Sequence, residues 1–172
     1  GKQNGLSDRI AFRKWLHTAI SRGDGWDRIV REIIGGKGQN SEGGRRDPMQ
    51  WDLADHEPSQ DAADSPINGA VNWLLSNVRE PQNIAGTASR VFLGVQIQCA
   101  ECHDHKTEKW KQEDFKRFTA AFMRTNARRV DKGKMMGIKR VEVFDVARAG
   151  RPMKNRMRRL GYDDTQPRAL DG

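Results

Sequence analysis

Residues 99–105 read CAECHDH, and this stretch holds both cysteines of the 172-residue chain and two of its four histidines. In a C-x-x-C-H pattern, two thiols three residues apart can each add across one vinyl group of a haem, and the adjacent histidine is held beneath the iron as its proximal ligand. Cys99, Cys102 and His103 meet that spacing. Three other chemistries use part of the pattern. A structural zinc site would need a fourth ligand beyond Cys99, Cys102 and His105, and no second C-x-x-C occurs in the chain. A thioredoxin-like redox pair belongs in a βαβ context, whereas the preceding residues carry a helical period. A plain disulfide suits an exported protein but gives His103 no task.

Outward from the motif, NIAGTASRVFLGVQIQ (residues 83–98) places Ile84, Ala88, Val91, Phe92 and Val95 on one helical face, which predicts a helix running directly into Cys99. On the other side, QEDFKRFTAAFMR (residues 112–124) has acidic residues in its first turn, Phe115, Phe118 and Phe122 along one side, and Met123 at the edge of that stripe. This is a second amphipathic helix whose stripe faces a core.

Nearer the start, Ser7 is the expected N-cap of a helix with Ile10, Trp15, Leu16, Ala19 and Ile20 on one face, ended by Gly23 and Gly25. A shorter helix presents Trp26, Ile29, Val30, Ile33 and Ile34 and stops at Gly35-Gly36. Residues 37–66 are polar, punctuated by glycine and proline and without period, so a long surface loop is expected. INGAVNWLLSNV (residues 67–78) is apolar but short and fits helix or extended chain. KRVEVFDV (residues 139–146) alternates like one short strand with no visible partner. There is no internal repeat and no phosphate-binding glycine loop. The expected fold class is mainly α.

Composition supports a cofactor. The apolar fraction is 35% without glycine, and with the 17 glycines counted it reaches only the lower edge of the roughly 45–50% of soluble domains, while mean hydropathy is −0.87. A haem is a large apolar plate, and helices packed around it gain buried surface that their own side chains do not provide. No stretch approaches the roughly 20 apolar residues of a membrane span, and the opening residues lack a signal-peptide pattern. Both ends read as cuts within a longer chain.

The net charge of +8 is uneven. Residues 124–161 carry thirteen Lys and Arg against three Asp and Glu, which leaves the rest of the chain slightly acidic. Such a segment is a solvated extension or a docking surface for an acidic partner. Nucleic acid is disfavoured, because Phe144 is the only aromatic residue in the segment and bases need stacking platforms.

The stretch SRVFLGVQIQCAECHDHKTEKWKQEDFKRFTAAF (residues 89–122) resembles the signature of the planctomycete-type cytochrome c domain family. In that family an FLG-V-Q-x-x-CAxCHxH run is followed by a Trp, a Gln-x-Asp-Phe/Tyr and an Ala-x-Phe. FRKWLHTAISRGDGWDRIVREIIGGKG (residues 12–38) is similar to the family's upstream segment, and the likeness spans about residues 10–125. The resemblance implies a small helical c-type cytochrome-like domain packed around one covalent haem c, with long irregular loops, in a secreted multidomain protein linked to polysaccharide breakdown. It makes Cys99 and Cys102 the attachment sites and His103 the axial ligand, and His105 matches the second histidine. Where the family usually has Pro, this chain has Lys106.

On this reading residues 1–126 form the haem domain, and residues 127–172 form a basic extension or linker towards a following domain. Phe92 and Trp110 are expected to line the haem pocket. His105, two residues beyond the proximal ligand, cannot reach the opposite face of the same haem, so a hydrogen-bonding role is expected for it. The distal candidates are Met123, which is preferred, then Met49, Met135 and Met136, with His56 and His17 behind them. The favoured function is single-haem electron transfer in the periplasm or another exported location, with an acidic redox partner or companion domain. The alternative is a haem enzyme or sensor with an open iron site. The acidic run Asp52, Asp55 and Glu57 beside His56 is read as solvated and supplies no acid/base constellation.

Overall fold

A computed structural model describes residues 6–44, 66–78, 80–131, 137–146, 151–159, 161–162, 167 and 169–170. The chain divides into two units, Gly1–Ser76 with Ala127–Phe144, and Asn77–Asn126 with Asp145–Gly172. Among the described residues helices dominate, joined by one small three-stranded sheet.

The first unit is organised around two buried asparagines. Asn72 lies in the short helix α3 (Val71–Leu75), where Val71, Leu74 and Leu75 are also buried. Its side-chain nitrogen donates to the carbonyls of Asn40 (2.8 Å) and Gly69 (3.1 Å), and its side-chain oxygen accepts from the Asp8 N–H (2.6 Å). Asn40 in turn donates to the carbonyls of Leu6 and Lys139 and accepts from the Val141 N–H. Every side-chain bond of both residues closes over at least three positions of sequence, and most over more than thirty. Such buried amides hold loops together because any unmet partner costs about 1–3 kcal/mol.

Helix α1 (Arg9–Ser21) is capped by Asp8, whose carboxylate accepts from the N–H groups of Ile10 and Ala11. Ser7, the cap expected from sequence, donates its hydroxyl to the Asn72 carbonyl instead. Ala19 is buried as the periodicity predicts, but Ile20 at the end of that face is exposed. Helix α2 (Trp26–Gly35) buries Ile29 and Ile33 and leaves Trp26 largely exposed.

The expected lone strand has partners. Strand β1 (Gly38–Gln39) pairs antiparallel with β3 (Val141–Asp145), with Gly38 opposite Val143, and β3 lies between β1 and β2 (Thr125–Arg129). Val141 and Val143 point inward and are buried, which is the alternation read from the sequence. The partner was hidden because β1 is two residues long and lies inside the segment expected to be surface loop. Residues 38–41 of that segment are buried; residues 45–65 lie outside the described residues.

This sheet also absorbs part of the basic segment. Arg128 pairs with Glu142 at 2.6 Å and lies over the Phe144 ring, Arg129 pairs with Asp131 at 2.9 Å, and Arg140 donates to the Gln39 side chain. The hydrogen-bonded Arg129 guanidinium holds the Asp131 carboxyl below its ordinary range. The described residues between Ala127 and Phe144 are therefore part of the first unit.

In the second unit, α4 (Pro81–Phe92), a short 3-10 helix (Ile97–Glu101) and α5 (Gln112–Ala120) pack on one another. Their core includes Ile84, Ala85, Ala88, Ile97, Ala100, Phe115 and Phe122. Phe118 meets Phe122 edge to face at 5.5 Å. The C-terminal segment joins this unit. Tyr162 is buried with Ala120 and Met123, and Met157 of α6 (Arg151–Arg159) packs against them.

Burial pushes the Tyr162 phenol above its ordinary 10.0 and the Glu101 carboxylate adds to this, while the Thr119 hydroxyl opposes it. The folded chain thus holds the phenolic proton more tightly than the unfolded chain does. The associated stability is intact below pH 10.0 and is lost as pH rises through the folded value. Denaturant titrations between pH 9 and 11 should show wild type weakening with pH while Tyr162→Phe stays nearly flat. Equal slopes for the two proteins would contradict the burial of this phenol.

Candidate functional site

The motif is presented by a break in the chain rather than by a continuous helix. Helix α4 buries Ile84, Ala85, Ala88 and Ser89 and ends at Phe92, after which Gly94 adopts φ +67°. That left-handed conformation costs an ordinary L-residue about 1 kcal/mol or more, so glycine suits the turn. Behind it the N–H groups of Leu93 and Val95 both donate to the Ser89 carbonyl. The predicted run of α4 into Cys99 is corrected accordingly. Val91 also leaves the predicted buried face, with 53% exposure beside Leu93 at 52%. Phe92 and Val95 are half-buried.

The chain then re-enters as the 3-10 helix Ile97–Glu101. At three residues per turn, positions i and i+3 lie directly above one another. Ile97 and Ala100 therefore stack inward and are fully buried, while Cys99 and Cys102, also three apart, are both exposed and free. The Gln98 side chain lies over Gly86 of α4, where a Cβ would stand 2.9 Å from its end. Burial of two apolar side chains thus turns both thiols outward.

His103 follows at the exposed end of the turn. Its Nδ1 lies 2.7 Å from the Asp104 carbonyl oxygen. A carbonyl only accepts, so the ring proton belongs on Nδ1 and the Nε2 lone pair is left for a metal. His105 has the opposite arrangement. Its Nδ1 accepts from the backbone N–H groups of Thr107 (3.3 Å) and Glu108 (3.1 Å), which places the proton on Nε2, and the His105 backbone N–H donates to the Trp110 carbonyl. His105 is an organiser of the loop 105–110. Trp110 is half-buried, with the Lys109 ammonium 5.1 Å from its ring centre.

Two side chains at the motif were missed from sequence as participants. Gln112, the first residue of α5, donates its side-chain amide to the carbonyls of Glu101 (3.2 Å) and Cys102 (3.1 Å). Its backbone N–H donates to the Asp104 carboxylate at 2.8 Å. The available signal was position: Gln112 opens a helix, where an N–H lacks an intrahelical partner, and Asp104 is the acid nearest to His103.

The remaining candidates are placed differently. Met123 is 1% exposed within the cluster of Ala120, Met157 and Tyr162, whereas the thiols and His103 are exposed. His17 is exposed on α1 of the first unit. Met49, His56, Met135 and Met136 lie outside the described residues, as do Asp52, Asp55 and Glu57. Among the described residues no three His, Cys, Asp or Glu side chains converge as a metal cluster. A tetrahedral zinc site would require four such donors. A haem needs only an axial donor from the chain, because its ring supplies the other four nitrogens. Two exposed thiols at the attachment spacing and one imidazole whose Nδ1 carries the proton fit that group.

The site and the helical unit around it define a small, largely helical domain with an outward C-x-x-C-H turn. Residues 1–127 match the PSCyt2 family, described as a protein of unknown function (DUF1549), and the chain belongs to that family. No curated protein and no solved structure matches it.

The thiol placement has a direct check. With no haem attached, both cysteines of the native chain should react with a small aromatic disulfide reagent without denaturant, giving two equivalents per chain. One equivalent or none would contradict the outward placement of Cys99 and Cys102.

Proposed function

We propose that this chain is a single-haem c-type cytochrome domain that transfers electrons within a larger exported protein. The observation that carries the reading is the exposure of both thiols, Cys99 in the 3-10 helix and Cys102 at its C-cap, followed at once by an imidazole whose Nδ1 is taken by a carbonyl. Cys99 and Cys102 would hold the group through thioether bonds and His103 would ligate its iron. Bound there, haem c supplies a one-electron iron couple. The chain's own part is to orient His103 through the Asp104 carbonyl, to offer Val91 and Leu93 as apolar cover, and to wall the site with Phe92 and Trp110.

An exported location follows from the chemistry, since thioether attachment needs reduced thiols and the maturation machinery of the export side. Lys154, Arg158 and Arg159 are exposed on α6 while Met157 is turned inward, so this helix offers a cationic face to an acidic redox partner or companion domain. Among the described residues no helix is long and apolar enough to cross a membrane.

Expression with export and a cytochrome c maturation system should yield a red protein whose denatured mass retains one haem. A colourless product carrying a Cys99–Cys102 disulfide from the same host would end the cytochrome reading.

A second reading, a haem enzyme or sensor with an open iron position, is favoured by one observation: the preferred distal candidate Met123 is enclosed in its own apolar cluster. Spectra separate the two. A carrier with both axial positions filled should be low-spin and bind carbon monoxide poorly when reduced, and high-spin ferric iron that takes up small ligands would support the second reading. If Met123 is the ligand, Met123→Ala removes the methionine-to-iron charge-transfer band. If it is only core, the variant loses about 2–5 kcal/mol of stability and keeps the spectrum.

A further inference from the structure

The proposed attachment gives tasks to Cys99, Cys102 and His103, but leaves unexplained why Gln112 and Asp104 converge on the same turn. We propose that Gln112 and Asp104 are positioning residues that fix the direction and tautomer of the His103 imidazole before any haem is bound. The role assigned to the imidazole rests on the reading of His103 as an iron ligand.

The connection is continuous. Helix α5 is anchored by buried Phe115, so its first residue is a fixed point. From there the Gln112 carboxamide reaches the carbonyls of Glu101 and Cys102, groups at the end of the 3-10 helix that have no partner further along it. The Gln112 N–H meets the Asp104 carboxylate, a negative charge placed favourably at a helix N-terminus. Asp104 is therefore held by its side chain, and its own carbonyl receives the His103 Nδ1 proton at 2.7 Å. Three bonds from one residue and its partner thus immobilise the backbone on both sides of His103. A carbonyl on Nδ1–H fixes the tautomer and the ring direction, as the outer partners of metal-bound histidines do.

Simple helix capping explains less. The first backbone N–H before α5, that of Lys111, is already met by Asp114 at 2.9 Å, so α5 has a local acid of its own. Asp104 comes from outside the helix and brings the His103 carbonyl contact with it. A capping role alone would move stability and leave the imidazole unchanged.

Nitrogen-15 NMR of the full chain without haem, at a pH where both rings are neutral, reads the tautomers directly. The expected result is a proton on Nδ1 of His103 and on Nε2 of His105. In Gln112→Ala and Asp104→Ala the His103 signals should move to mixed tautomers, and in Asp104→Ala the Gln112 amide should exchange about tenfold faster, as loss of a charged hydrogen bond implies. Asp104→Asn keeps an acceptor oxygen and should restore the wild-type pattern. In haem-loaded protein the two alanine variants should raise the midpoint potential, and Asp104→Asn should return it towards wild type. No preferred His103 tautomer in the wild-type chain, or alanine variants with an unchanged tautomer, would overturn the proposal. A tautomer that responds as expected in a chain that never takes up haem would uphold the clamp and remove the cytochrome reading instead.

Discussion

The three-residue repeat of Ile97–Glu101 is the constraint on which the site depends. In that geometry Ile97 and Ala100 share one edge and Cys99 lies about 120° away from it, and burial of Ile97 and Ala100 leaves Cys99 and the following Cys102 exposed. An α-helix turns 100° per residue, so it would rotate the second thiol away from the first by about 60°. The turn needs a separate approach direction. Gly94 provides the direction by following α4 with a positive φ, and the Gln98 side chain of the turn lies over Gly86 of α4. The packing of the second unit and the presentation of the motif are thus one arrangement.

Long periodic segments were legible in the sequence because their side-chain pattern is the cause of their packing. The buried faces of α2 and α5, and the inward valines of β3, follow directly from spacing. What was not legible depends on partners distant in the chain. Two residues, Gly38 and Gln39, carry no strand signal by themselves, and they become a strand because Val143 and Glu142 lie opposite them. Asn40 and Asn72 were passed over because asparagine is an exposed residue by habit, and only the completed set of hydrogen bonds makes its burial tolerable. At the site, the cysteines and His103 were readable by residue type. Asp104 and Gln112 were not, since their roles come from backbone groups that any sequence would supply.

The family match ends at residue 127, yet each unit draws on chain beyond that point. In the first unit β3 contributes Val141 and Val143 to the interior and the Val141 N–H to Asn40. In the second, Tyr162 and Met157 close over Met123 and Ala120. A basic segment that reads as linker from its composition is therefore structural at selected residues. The charges are spaced between them: Arg128, Arg129 and Arg140 find polar or acidic partners at the sheet, whereas Lys154, Arg158 and Arg159 stay on the exposed side of α6. Alternation of buried and charged positions, rather than total charge, separates the structural part of such a segment from the part left for a partner.

The two motif histidines illustrate how neighbouring copies of one residue type are given different chemistry. Both are two-nitrogen rings within three positions of sequence, and neither has a charged group as its nearest partner. What differs is whether the backbone offers a carbonyl or an N–H. His103 meets a carbonyl, keeps its proton on Nδ1, and leaves the lone pair on Nε2. His105 meets the N–H groups of Thr107 and Glu108, gives up its Nδ1 lone pair to them, and is left with a donor on Nε2. A metal can be accepted by the first ring without disturbing the loop. Acceptance by Nε2 of the second would require the proton to leave a nitrogen whose counterpart is already committed to two backbone groups, so the loop 105–110 disfavours His105 as a ligand for any metal.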